Sequence, residues 1–384
     1  MLSMKKYLKG NNLGFALFSG VIFFAFLGIS SFLEVPNLEY LATPATVENK
    51  EIKNFHIIPP NPVKGIYMTS WVAGTKDWRE KLVNLIETTE LNSLVIDVKD
   101  YTGRISFEVS DPELQEIGSS EKRISDIKEF LDYLHNKNIY AIARIAVFQD
   151  SFLAKKYPDL AVKRGNKITV WKDHKGIAWL DPCSTEVWDY TVKIGKEAEG
   201  VGFDELNFDY IRFPSDGNMK DISYSHCPAQ FTKSEIIRDF FSYLKEQLKK
   251  TEVPLSADVF GMTTTNTDDL NIGQVLEKIE PYFDYICPMV YPSHYPATYD
   301  GYKNPALHPY EIISHAMASS SERLIAASSS PSKLRPWLQD FDLGANYDAA
   351  MVRKEKQAVY DAGLSSWLLW NPANKYTTQA LDPQ

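Results

Sequence analysis

The chain has 384 residues, 44% of them hydrophobic and 13% aromatic, with a formal net charge of −9. That is enough apolar mass for a sizeable core in one large domain or two ordinary ones. An acidic chain with no extended basic cluster argues against nucleic acid as a partner.

Residues 1–12 contain Lys5, Lys6 and Lys9 and no acid, and are expected on the cytoplasmic side. Gly10 to Leu33 holds no charged residue, and its core, 13–33, is mostly Phe, Leu, Ile, Val, Ala and Gly. At about 1.5 Å per residue this core reaches about 30 Å, one hydrocarbon thickness. Lysines on its amino side put the bulk of the chain outside the cytoplasm by the positive-inside rule. Its length, and the absence of a clean Ala-x-Ala site, favour an uncleaved single-pass signal anchor over a cleaved signal peptide. The rest of the chain is then extracytoplasmic on a cell membrane, or secreted if the segment is removed. Residues 34–62 carry Pro36, Pro44, Pro59, Pro60 and Pro62 without a sustained period and read as a linker.

From Val63 to about residue 380, apolar runs of strand length alternate with segments of helical period. Strands are expected over 64–71, 91–100, 139–148, 203–213, 254–261, 283–292, 323–330 and 365–371. Ile124, Ile127, Phe130, Leu131 and Leu134 recur at helical spacing. So do Ile236, Ile237, Phe240, Phe241, Leu244 and Leu248, after a capping box of Thr232 and Glu235. Weaker helices fit 77–89, 185–199, 269–280, 309–319 and 347–362. Strict alternation of eight strands with seven helices is the pattern of an α/β protein of the (β/α)8, or TIM-barrel, type. The first strand ends in Thr69-Ser70-Trp71-Val72-Ala73-Gly74, without the Gly-rich phosphate turn of an open doubly wound sheet. An eighth helix is missing or vestigial, and the end of the linker is expected to cover its place. Long loops at 101–120, 149–182, 215–231, 293–308 and 331–345 follow strands, while the opposite connections are short, two to four residues. This marks the carboxyl ends of the strands as the functional face.

The run Asn207-Phe208-Asp209-Tyr210-Ile211-Arg212-Phe213-Pro214 is an apolar strand with a polar face. Asn207 and Asp209 share one side and Leu206, Phe208 and Tyr210 the other. Such polarity inside a barrel is costly unless it is hydrogen-bonded or serves chemistry. The preceding Asp204-Glu205 reads as a solvated turn. At the other strand ends stand Asp97, Lys99 and Asp100, then Arg144, Asp258, Tyr291 and His294, and finally Trp370 and Asn371. The seventh expected strand offers only Ser328, Ser329 and Ser330. Asp209 and Asp258 fall on adjacent strands, about 5–10 Å apart, a range that spans retaining and inverting glycosidases. The bland alternative is one buried ion network of Asp209, Arg212 and Asp258. Trp71, Trp171, Trp179 and Trp370 are candidate sugar platforms or core. Cys287 reads as a buried free thiol, and Cys183 and Cys227 lie in loops where pairing is left open. No Cys/His spacing suggests zinc, and no metal or cofactor is expected.

Five stretches carry a family resemblance: Lys64-Gly65-Ile66-Tyr67, Val95-Ile96-Asp97-Val98-Lys99-Asp100, the Asn207–Pro214 run, Ala257-Asp258-Val259-Phe260-Gly261, and Pro288-Met289-Val290-Tyr291-Pro292-Ser293-His294-Tyr295. Together they resemble the bacterial family described as a "putative glycosyl hydrolase domain". The resemblance implies a barrel of glycosidase type and leaves the substrate unspecified. A fainter likeness is to chitinase-type hydrolases, through Gly202-Phe203-Asp204 and Met289-Val290-Tyr291. In that likeness Asn207 replaces the first inward Asp of their fourth strand, Asp209 keeps the second, and the acid Glu falls on Ile211.

The expected function is therefore hydrolysis of O-glycosidic bonds in an extracellular or cell-wall polysaccharide by two carboxylates, Asp209 and Asp258. Asp97, Lys99, Arg144, Asn207, Arg212, Tyr291, His294, Trp370 and Asn371 are expected to bind substrate. The alternative is a catalytically inactive glycan-binding barrel that scaffolds at the cell surface.

Overall fold

A computed structural model describes residues 56–384. Eight parallel strands close on themselves in sequence order, β1 pairing with both β2 and β8. They are β1 Lys64–Met68, β2 Ser93–Lys99, β3 Tyr140–Ala146, β4 Glu205–Asp209, β5 Leu255–Phe260, β6 Tyr285–Met289, β7 Trp337–Gln339 and β8 Trp367–Trp370. Between successive strands run α1 Lys76–Glu87, α2 Ile127–Asn136, α3 Thr185–Val201, α4 Lys233–Leu248, α5 Leu276–Ile279, α6 Pro309–Ala326 and α7 Ala349–Asp361. The (β/α)8 barrel is thus the fold. Each helix buries the stripe its spacing sets. In α2, Ile127, Phe130, Leu131 and Leu134 face the sheet, and burying each such side chain contributes about 1.5–3 kcal/mol. Among the described residues no helix is long and apolar enough to cross a membrane. The expected anchor at 13–33, and the linker up to residue 55, lie outside the described residues.

Several expectations are corrected. The seventh strand is not 323–330. Residues up to Ala326 complete α6, whose Ile312, Ile313, Ala316, Met317, Ser320 and Leu324 bury one helical face. The strand β7 is only three residues long, too short to show an alternation in sequence, and brings Trp337 and Gln339 to the barrel in place of three serines. The connection before it, residues 327–336, is accordingly the longest on the amino-terminal side. The region 269–280 is mostly turns, with α5 reduced to one helical turn. Thr232 makes no side-chain cap on α4; Glu235 instead binds Lys278 at 2.6 Å, on the neighbouring α5.

Asp204 and Glu205 are not a solvated turn, since both are buried. Asp204 accepts from the amides of Ala141 and Ile57 and meets His135 at 3.1 Å, tying residues 56–57 beneath the barrel. Glu205 points inward and accepts from Arg335 at 2.8 Å, Ser256 at 2.6 Å and Tyr140 at 3.0 Å. Ile57 packs against the interior cluster of Val63, Tyr67, Val95, Tyr140, Ile142, Cys287, Trp337 and Leu368. The linker's end therefore plugs the floor. The place of the missing eighth helix is taken by the carboxyl-terminal tail, whose Ala380 and Asp382 carbonyls accept from Lys356 and from the Glu90 amide.

Candidate active site

Four neighbouring strands converge on one guanidinium. Arg144 of β3 projects into the barrel and donates Nη1 to Asp97 Oδ1 of β2 at 2.6 Å. Its Nη2 donates to Asp209 Oδ2 of β4. Its Nε faces Asp258 Oδ2 of β5 at 3.7 Å and makes no hydrogen bond. The register explains the convergence. Asp97 pairs with Arg144, Arg144 with Asn207, and the β4–β5 ladder runs Asn207 with Ser256 and Phe208 with Ala257. Asp209 and Asp258 each follow the last pair of that ladder, and the charge of Asp209 acts on Asp258.

Three carboxyls against one cation in a buried site must differ in charge. Burial opposes the Arg144 charge, yet Asp209, Asp97, the Tyr67 phenol and Asp258 carry it well above the ordinary guanidinium value. Full burial pushes the Asp97 carboxyl up, against the pull of Arg144 and of Tyr67, whose hydroxyl donates to Asp97 Oδ2 at 2.5 Å. Asp258 is only 1% exposed. Burial, and then the charge of Asp209, push its carboxyl up to about 8. Donation from Asn207 Nδ2 at 2.9 Å and Trp337 Nε1 at 2.8 Å, both to Oδ1, works in the opposite direction. Asp258 is therefore mostly a neutral acid at pH 7, with Oδ2 its free oxygen.

Asp209 closes β4. The next residue, Tyr210, has φ of 53°, the sparsely populated left-handed region for a residue with a side chain. That turn points its amide back to Asp209 Oδ1 at 2.5 Å and fixes the carboxylate. A cavity of about 310 Å³ opens over these groups. Arg144, Asp209 and Asp258 line it, with Trp337 and Trp370 from β7 and β8 on one part of the wall and Phe260, Met262 and Met289 on another. Trp370 stacks on Tyr67, ring centroids 3.9 Å apart. Gly261 permits a close approach here, since a Cβ would lie 2.5 Å from the Met289 carbonyl and 2.7 Å from the Tyr295 hydroxyl.

Of the residues expected to act on or bind substrate, Arg144, Asp209, Arg212, Asp258, Tyr291, His294 and Trp370 line the cavity. Asn207 lies beneath it, holding Asp258 and Ser256, and Asp97 lies behind Arg144. Two are elsewhere. The β2–β3 register shifts between Asp97 and Lys99, and this bulge turns Lys99 outward. Its Nζ meets Asp150 at 2.9 Å and the Ala146 carbonyl at 2.6 Å, near the Tyr190 ring of α3. Asn371 is a turn residue that donates to the Asp340 and Lys375 carbonyls.

The central cation is thus Arg144, not Arg212. Arg212 packs against Trp179 and Phe260, 4.8 and 4.5 Å from their ring centroids. Trp171 is buried, and Trp71 is 60% exposed with Arg123 against one face. Tyr67 and Trp337 were not expected. Inward alternation along β1 could have found Tyr67; Trp337 was hidden by the misassigned seventh strand. Cys183 and Cys227 form a disulfide with Cα atoms 5.0 Å apart, joining the loops after β3 and β4. Asp181 lies beside them, and with both sulfurs in that bond this cluster is not a metal site. Cys287 is buried and unpaired.

A closed parallel barrel with paired acids at the carboxyl ends of its strands defines the class: a barrel of glycosidase type. The model of the family described as "Putative glycosyl hydrolase domain" matches residues 65–376, and the chain belongs to that family. No curated protein matches the chain. A hypothetical protein from Ruminiclostridium thermocellum ATCC 27405 is 39% identical over 50% of this chain and 97% of its own, with a TM-score of 0.46. The PgaB (BpsB) glycoside hydrolase domain from Bordetella bronchiseptica is 11% identical over 84% of this chain and 98% of its own, with a TM-score of 0.54. Alpha-L-fucosidase isoenzyme 2 from Paenibacillus thiaminolyticus is 12% identical over 83% of this chain and 48% of its own, with a TM-score of 0.56. At such identities the last two likenesses show the barrel fold alone.

Proposed function

We propose that the protein is a glycoside hydrolase acting on an extracellular or cell-wall polysaccharide, with Asp258 as general acid and Asp209 as nucleophile. One observation carries this reading. Asp258, raised to about 8 and open at Oδ2, lines the same cavity as Asp209, which is held against the Arg144 guanidinium. A pair of carboxyls with separated protonation states is what glycosidic cleavage requires.

In the proposed reaction Asp258 gives its proton to the glycosidic oxygen as the bond from that oxygen to the anomeric carbon breaks. Asp209 attacks the anomeric carbon and forms a glycosyl ester. Water, losing a proton to the Asp258 carboxylate, then releases the sugar and restores both groups. The adjacent-strand register favours the short carboxyl spacing of retaining enzymes. Trp370 and Tyr291 would support the sugar ring, and Arg144 would steady Asp209. Export belongs to the proposal, supported by the lysine-flanked apolar segment 13–33 and by the Cys183–Cys227 disulfide.

The test is turnover of a panel of wall and exopolysaccharides by the parent, Asp209→Asn and Asp258→Asn, with the anomeric product followed by NMR. Retained configuration, and losses of at least about 100-fold in both variants, are expected. Equal turnover by all three proteins would sink the reading. A silent glycan-binding barrel is favoured by one observation: Asp97, Arg144 and Asp209 satisfy one another in a buried network. It predicts glycan affinity in the parent and in Asp209→Asn, with no hydrolysis in either.

A further inference from the structure

Arg212 is the cation at the cavity whose charge the fold leaves uncompensated. It is 8% exposed and lines the cavity beside Asp209 and Asp258. Its Nη1 is occupied, donating to the Phe213 carbonyl at 3.0 Å and Ser215 Oγ at 3.1 Å. Neither acceptor is charged. Among the described residues Arg212 forms no ion pair, whereas Arg144 in the same cavity contacts three carboxyls. Burial lowers its pKa to about 10, and Tyr210, Asp209, Asp216 and Asp173, none of them in an ion pair with it, oppose that too weakly to offset it.

A buried guanidinium without a counter-charge is costly unless a ligand supplies one. The geometry says which atoms remain. With Nη1 committed to the Phe213 carbonyl and Ser215 Oγ and the Trp179 and Phe260 rings packed against the group, Nε and Nη2 make no hydrogen bond among the described residues, and they are two parallel donors that match an oxyanion side-on. A second positive charge stands near the same opening. Lys175 lies close enough to His294, a lining residue, to add to burial in disfavouring its protonation. The carboxylates do not cancel this preference. Asp97 and Asp209 are bonded to Arg144 and Asp258 faces the same guanidinium, so these carboxyls are engaged by Arg144 and form no ion pair with Arg212.

We propose that the saccharide bound in this cavity is acidic, and that the Nε/Nη2 edge of Arg212 binds its oxyanion, a uronate carboxylate or a phosphate ester, as a bidentate pair. The proposal rests on the glycan-binding reading above and specifies its substrate class. It separates this cavity from one built for neutral glucans or chitin, in which an unpaired buried arginine would have no partner.

The experiment reads binding rather than turnover. Chemical-shift titration of the full-length protein uses D-glucuronate and D-galacturonate against D-glucose and D-galactose, with glucose 6-phosphate as the second acidic arm. The expected result is at least ~10-fold tighter binding of one acidic sugar than of its neutral counterpart. Whichever acid wins, uronate or phosphate, identifies the source of the oxyanion. Arg212→Gln should erase the preference. Arg212→Lys, which keeps the charge and loses the fork, should retain part of it, with melting curves showing that both variants fold. Equal binding of acidic and neutral sugars, a preference that survives in Arg212→Gln, or no binding of any acidic sugar up to about 50 mM overturns the proposal. A hydrolase of neutral glycans would fail this test yet still lose turnover in Asp258→Asn, and a silent barrel could pass it. The two readings therefore fail separately.

Discussion

The indole N–H of Trp337 reaches Asp258 Oδ1 at 2.8 Å from a strand 79 residues further along the chain. This bond stabilises the ionised form of Asp258 and so works against burial and Asp209. Trp337→Phe removes the donor while keeping most of the ring. The carboxyl of Asp258 should then rise further, and the alkaline limb of the kcat/KM profile should move to higher pH. Loss of a buried hydrogen bond should also cost about 1–3 kcal/mol in denaturant unfolding. An alkaline limb that moves down instead would contradict the assignment of Asp258 as the acid.

Asp258 makes a second, thermodynamic prediction. Its folded-state value, about 8, lies above the 3.8 of an unperturbed aspartate. Between those values the native state holds a proton that the unfolded chain has released, so stability falls as pH rises across that window. Asp258→Asn cannot ionise and escapes the penalty. It should melt higher than the parent at pH 8, by up to a few kcal/mol, and the advantage should vanish near pH 4. The comparison is calorimetric and does not depend on knowing the substrate.

Removing the shared cation should have the opposite pH signature. Arg144→Met leaves Asp97 and Asp209 buried without their hydrogen-bonded cation, at a cost of about 3–5 kcal/mol near neutral pH. The carboxyls would adapt by taking up protons. The deficit relative to the parent should therefore shrink as pH falls towards 4, measured by urea unfolding at several pH values. A deficit independent of pH would mean that Arg144 acts through packing alone.

The disulfide predicts a redox effect. Cys183 and Cys227 are 44 positions apart, and closing such a loop stabilises by about 3–4 kcal/mol in the chain-entropy account. Dithiothreitol should lower the melting temperature of the parent. The Cys183→Ser, Cys227→Ser double variant should melt near the reduced value and ignore the reagent. Equal melting of parent and variant without reductant would show that the bond contributes nothing.

Much of the barrel was legible because its strands and helices announce themselves by period. The apolar runs around Asp97, Arg144, Asp209 and Asp258 carry the strand signal, and their strand-end positions brought these four groups to one site. What failed did so for local reasons. β7 is too short to alternate, and the end of α6 is apolar enough to imitate it, so Trp337 and its bond to Asp258 were hidden. Lys99 was misplaced by one bulge, since an extra residue reverses the direction of every side chain after it. Glu205 looked like a surface acid because its partner, Arg335, lies 130 residues away, and only the closed barrel brings the two together. The choice between Arg144 and Arg212 as the central cation likewise depended on register, which composition does not encode.

The floor sealed by Ile57 and the Glu205–Arg335 pair has a consequence for traffic. Among the described residues, Ile57 and this ion pair lie below the cavity, on the side away from its opening over Asp209 and Asp258. A ligand seated against Trp370 and Arg212 would cover Asp258, which is itself only 1% exposed. Under the proposed chemistry its proton is then replenished by the very water molecule that frees the product, so departure of the leaving group must come first and admit that water. The order of events would be imposed by plumbing as much as by reactivity.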